Sequence, residues 1–135
     1  MNKLTGKIVG IQSSDNISLI DIDVRGNIFS SIILEGKKGQ SHYTIGDEVG
    51  VLFKETEVGI AKNLTGMISF RNRFKSRITK IEKGKILTKV TLDHPNGTIG
   101  SIISTSSAER LGLKEMDDVE WLIKSNEVML MKGTA

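Results

Sequence analysis

The chain matches itself at a spacing of seventy positions. Ile8 and Ile11 align with Ile78 and Ile81, Asp23 with Asp93, and Ser31–Ile33 with Ser101–Ile103. The same register carries Asp47 and Val49 onto Asp117 and Val119, and Leu52 and Lys54 onto Leu122 and Lys124. Glu57, Val58 and Lys62 fall on Glu127, Val128 and Lys132 without a gap. Matches that cluster in apolar runs at one offset mark a duplicated structural unit. The division expected from the repeat is 1–65 for the first unit and 66–135 for the second, joined near Asn63–Ser69.

Each unit reads as strand. "GKIVGIQ" and "SLIDIDV" alternate apolar and polar residues, as do "SRITKIE" and "TKVTLDH". "NIFSSIIL" and "TIGSIIS" come next, then "EVGVLFK" and "DVEWLIK", then "EVGIA" and "EVMLM". Period-two alternation broken by turn-forming clusters such as "SSDN", "RGN" and "HPNG" predicts short strands. Five of them per unit predict an all-β chain of two tandem small barrels of the OB kind. A short helix is expected only in the second unit, over "SSAERLGL", with Ser106 as N-cap, Glu109 three residues on and Gly112 as the stop. The glycines of "GKKGQSHYTIG" argue against a regular helix at the matching place in the first unit.

Composition narrows the chemistry. With no cysteine and two histidines far apart in sequence, thiolate metal sites are excluded and a zinc centre is not expected. No acid–base pair or activated nucleophile stands out, so an enzyme is the weakest reading. The amino-terminal sequence lacks the pattern of a secretory signal and no stretch is long enough to span a bilayer, so the cytoplasm is the expected location. A net charge of +3 is compatible with anionic ligands.

Four donor-rich patches lie in the second unit: Ser69 with Arg71 and Asn72; Ser104 to Ser107; Lys124 with Ser125 and Asn126; and Arg73, Lys75 and Arg77 alternating on a strand. A tetrahedral dianion needs such a set, because its oxygens only accept hydrogen bonds and a nearby carboxylate repels it. Each patch also has an ordinary reading. Ser106 and Ser107 can cap a helix, Lys124 can guard a strand edge, and Arg71 can be a solvated surface cation. Arg73, Lys75 and Arg77 can form a solvated strand face.

"SFRNRFKSRITKIEKGKILTKVTL", "SIISTSSAERLGL" and "DDVEWLIKSNEVMLM", in that order, resemble the Mop domain of molbindins. The first unit resembles a divergent copy. The resemblance implies tandem OB-type barrels that bind and store molybdate or tungstate without catalysis, in sites shared between barrels. It places oxyanion contacts on Ser69, Arg71, Ser104, Ser107 and Lys124. Asn72 falls on a motif residue expected to hold the turn. Phe70 stands where the family has a small residue and would narrow the mouth of the site. Ser125 or Asn126 would supply a hydroxyl or amide that the motif places near the lysine, and Met116 replaces a turn glycine.

The first unit keeps Lys54, which marks at most a weaker site. Leu34 and Lys37 replace the two serines there, Glu55 follows the lysine, and Met1-Asn2 truncates the arginine motif. No helix-turn-helix precedes the first barrel in this sequence, so direct DNA contact is not expected. The resemblance further implies a homo-oligomer, with a trimer favoured over a dimer, which suits barrels too small for a generous core. The alternative is an OB-fold nucleic-acid-binding module. It would need exposed aromatics for base stacking, whereas most of Phe29, Tyr43, Phe53, Phe70, Phe74 and Trp121 fall in alternating strands where core is expected.

Overall fold

The computed structural model describes residues 1–35, 42–95 and 97–133. The whole "GKKGQS" segment, Lys37 included, lies outside the described residues. The ten strands are β1 (Asn2–Ser14), β2 (Ile17–Val24), β3 (Asn27–Leu34), β4 (Glu48–Phe53), β5 (Gly59–Ala61), β6 (Asn72–Lys83), β7 (Leu87–His94), β8 (Gly97–Ser104), β9 (Asp118–Ile123) and β10 (Met129–Lys132). One helix, α1 (Thr105–Arg110), follows β8, and single 3-10 turns occupy Glu55–Glu57 and Ser125–Glu127.

These form two five-stranded sheets, ordered β10-β4-β1-β2-β3 and β5-β9-β6-β7-β8. All ten strands predicted from alternation are present. What the repeat boundary misplaces is the last strand of each unit. The compact units are Met1–Asn2 with Lys54–Ile123, and Lys3–Phe53 with the segment from Lys124 onward. The expected split at 65/66 is therefore corrected: each repeat lends its final segment to the other's sheet. We call the two the Trp121 unit and the Phe29 unit after their largest core side chains. β5 of the first repeat pairs with β9 (Ile60 opposite Trp121), and β10 of the second repeat pairs with β4 (Leu130 opposite Val51). Local alternation identifies a strand but not its partner.

Two hydrogen bonds seal the exchange. Ser31 Oγ donates to the Val128 carbonyl at 2.6 Å, and its repeat equivalent Ser101 Oγ donates to Val58 at 2.7 Å. All four residues are buried.

Each sheet curls because its long strand changes partner midway. In β6, Asn72–Arg77 pairs with β9, a bulge falls between Ile78 and Lys80, and the remainder pairs with β7. β1 has the matching bulge between Ile8 and Gly10. A bulge bends and twists its strand, which lets a small sheet close on itself. At each bulge a loop is tied back: Met116 N–H donates to Ile78 O and Ile78 N–H to Asp117 O, while Gly46 and Asp47 do the same with Ile8. Met116 sits at φ +74° where the other copy has Gly46 at φ +96°. The turn glycine missing from the second repeat is thus replaced by a strained residue in the same conformation.

The core of the Trp121 unit is Trp121, Ile78, Leu92, Ile99 and Ile123, with Phe74 packed 4.9 Å from Trp121 between ring centres. In the Phe29 unit Phe29, Phe53, Ile20, Ile22 and Val51 are completely buried.

Candidate functional site

The Ser69–Asn72 segment leads into β6. Ser69 and Arg71 are exposed, Phe70 is half-buried, and Asn72 is fully buried opposite Ile123 of β9. Its repeat equivalent, Asn2, falls in the same unit. Asn2 donates its side-chain amide to the Gly100 carbonyl at 2.9 Å and accepts from Gly100 N–H at 2.8 Å. It staples the start of β1 to the middle of β8.

The serine cluster is a helix cap. Ser104, not Ser106, is the N-cap of α1: its Oγ accepts from Ser107 N–H at 3.1 Å and donates to Ser107 Oγ at 2.9 Å. Helix formation starts two residues earlier than expected because buried Thr105 anchors the first turn. Its hydroxyl meets Thr88 Oγ1 at 2.8 Å and donates to the Gly84 carbonyl at 2.8 Å. Gly112, at φ +62°, ends the helix as expected, with Gly112 N–H on Glu109 O and Leu113 N–H on Ala108 O. Arg110 reaches Ser107 Oγ at 3.5 Å.

These two donor patches lie at opposite ends of one strand. Asn72 opens β6, and Lys83 closes it with its ammonium 3.0 Å from Glu109 of α1. At about 3.3 Å per residue, roughly 30 Å of strand separates them. Within the Trp121 unit the two patches are therefore distant along the strand.

Lys124 and Ser125 belong to the Phe29 unit. Lys124 is exposed and enters the 3-10 turn in extended conformation, with φ −68° and ψ 145°. Ser125 Oγ donates to Ser30 Oγ at 3.0 Å. Lys54 has the same geometry, φ −77° and ψ 143°, and falls in the Trp121 unit. At the place of Ser104 and Thr105 the first repeat has exposed Leu34 and buried Glu35. The Glu35 amide still bonds the Asn16 carbonyl, as Thr105 bonds Ile86, so the backbone is kept and the hydroxyls are gone.

The fourth of the donor-rich patches is compensated by carboxylates. Arg73 grips Glu120 with two hydrogen bonds of 2.5 and 3.0 Å, Lys75 lies opposite Glu120, and Arg77 reaches Asp118 at 3.3 Å. The Arg73 hydrogen bond holds the Glu120 carboxyl below its ordinary value and raises that of the guanidinium. A groove of about 650 Å³ on this face is lined by Lys75 and Arg77 but also by Asp93, Asp118 and Glu120, a mixture unsuited to a bare dianion. Nearby, the Lys114 amide and then Lys62 Nζ depress the Asp117 carboxyl.

Phe29, Phe53 and Trp121 are wholly or almost wholly buried, which leaves no stacking platform among them. No cluster of three metal-ligating side chains occurs among the described residues.

Residues 68–130 match the TOBE domain model. The chain is 42% identical over 65 residues to molybdenum-pterin-binding protein 1 of Clostridium pasteurianum, covering 96% of that protein and 47% of this chain. Its second counterpart in that organism, molybdenum-pterin-binding protein 2, is 38% identical over the same coverage. This chain belongs to the Mop-domain family of molybdenum-pterin-binding proteins. Those relatives are about half its length, and the tandem arrangement has its own counterpart. The cytoplasmic molybdate-binding protein ModG, in a crystal form with molybdate bound, superposes with a TM-score of 0.90 at 22% identity, over 98% of this chain and 96% of that one. The fold is therefore that of a tandem Mop protein: two OB-type barrels with a short helix in the second repeat.

Proposed function

We propose that this tandem Mop protein binds molybdate or tungstate and acts as an intracellular store or carrier of the oxyanion, without catalysis. One observation carries the reading. The stretch that matches the TOBE domain model, residues 68–130, holds Ser69, Arg71 and Asn72, the Ser104–Ser107 hydroxyls and Lys124, all hydrogen-bond donors suited to an oxyanion. The tandem counterpart ModG is described as cytoplasmic and molybdate-binding, which supports the same ligand and location here. No helix among the described residues is long and apolar enough to cross a membrane.

Assembly belongs to this reading. The Ser69–Asn72 and Ser104–Ser107 patches are separated along β6, so a site using both requires a second copy of the donor set. We propose a homo-oligomer, a trimer in preference to a dimer, with sites shared between copies. Ligand held between chains then favours association.

Isothermal titration with molybdate, tungstate, sulfate and phosphate tests the ligand. Molybdate and tungstate should bind in preference to sulfate, which is smaller and leaves the donors stretched. Phosphate near neutral pH carries a proton that finds few acceptors. Equal affinity for sulfate would remove the basis of the proposal. Light scattering with and without molybdate tests the assembly, and a monomer that binds at full strength would refute the shared site.

A further inference from the structure

The two repeats build the lysine-bearing turn with the same backbone and then differ at the next residue. After Lys124 comes Ser125, whose hydroxyl meets that of Ser30. After Lys54 comes Glu55, and opposite it, where the repeat has Ser30, stands Gly100. The two differences are coupled by space. A Cβ built on Gly100 would overlap the Glu55 carboxylate, so the glycine leaves a recess and the glutamate fills it. Lys89 Nζ holds the same carboxylate at 3.2 Å, and the Glu55 side chain is three-quarters buried. Asn2 fixes the floor of the recess through both polar groups of Gly100. The Lys54 carbonyl accepts from Glu57 N–H at 3.0 Å, and the residue is exposed to solvent.

We propose that the Glu55 carboxylate is a built-in anion that closes the Lys54 site to oxyanions. This proposal rests on the oxyanion-binding reading and names the residue that decides which copy of the site works. A dianion drawn to Lys54 meets a fixed negative charge beside it, in a partly buried place where charges interact more strongly than in water. Its counter-cations, Lys89 at 3.2 Å and the terminal ammonium of Met1 at 3.9 Å, are already taken. At the Lys124 turn the same place holds two hydroxyls, bonded to each other, and no carboxylate. The protein thus carries one open and one self-occupied version of the same turn.

Titration of sodium molybdate into the full chain tests this, comparing the natural protein with Glu55→Gln and with the double variant Glu55→Ser/Gly100→Ser. The glutamine variant keeps the shape and removes the charge. The double variant reproduces the Ser30–Ser125 pair. Each should gain a further class of sites, or tighten the weakest class at least tenfold, and Lys54→Ala in either background should abolish the gain. Circular dichroism confirms that the variants fold. If the natural protein binds molybdate and both variants give its isotherm unchanged, Glu55 does not close the site and the proposal is wrong. If none of the three binds molybdate, the oxyanion reading falls and this proposal with it.

Discussion

Ser31 and Val128 stand ninety-seven residues apart in the chain and 2.6 Å apart in the fold. The bond joins β3 of the first repeat to the residue just before β10 of the second. Removing the hydroxyl leaves a buried carbonyl unpaired, which costs about 1–3 kcal/mol. Ser31→Ala and Ser101→Ala should each lower the urea midpoint by a corresponding amount. A loss below about 0.5 kcal/mol in both would mean that the exchanged segments are held by apolar packing alone.

Deleting the chain after Ile123 should damage the first repeat rather than the second. The Phe29 unit loses β10 and buried Val128, whereas every residue of the Trp121 unit remains. Because Trp121 is the sole tryptophan, its native emission should persist while hydrogen-exchange protection of β2 and β3 collapses. Protection retained in β2 and β3 would contradict the strand exchange.

Met116→Gly should stabilise the protein. A left-handed conformation costs a non-glycine residue about 1–2 kcal/mol, and the added freedom of glycine when unfolded offsets part of that. A net gain of about 0.5–1 kcal/mol is expected in thermal or urea unfolding. The reverse change, Gly46→Met, should lose a similar amount.

Acid should weaken the Trp121 unit through two carboxyls. Asp117 and Glu120 are both held below their ordinary values, the first chiefly by the Lys114 amide and the second by Arg73. A carboxyl with a lowered folded value contributes stability above its unfolded value, about 4, and loses it as pH falls through the folded one. Melting temperatures of the natural protein and Lys62→Met should differ most near pH 7 and converge at pH 2. A gap that widens in acid would reverse the assignment.

Arg71→Ala and Lys124→Ala should each weaken molybdate binding about tenfold to hundredfold, the range for one charge-assisted hydrogen bond. Lys54→Ala should do much less. Titration of the three variants decides it, and a larger loss at Lys54 would assign the working site to the wrong turn.

Strands and helix were legible because alternation and capping are local. "SLIDIDV" predicts β2 and the structure puts Ile20, Ile22 and Val24 in the core. The cap of α1 was missed by two residues, since only the buried Thr105–Thr88 contact shows where the first turn begins. The strand exchange had no local signature at all. "EVGIA" and "EVMLM" carry the same pattern, and nothing within either tells which sheet it joins. Likewise the lysines of the two turns look alike in sequence, and only the recess over Gly100 shows where the Glu55 carboxylate goes.

The exchange also sets a schedule for synthesis. Ser31 emerges from the ribosome ninety-seven residues before Val128, which at about 5–20 residues per second is roughly 5–20 s. Once β4 is complete at Phe53 it lacks its neighbour β10 for most of that interval, and its edge stays open. A second nascent chain on the same message carries that strand too. Slow translation or crowded polysomes should therefore raise the yield of chains threaded through one another, a failure that a protein of two self-contained repeats would escape.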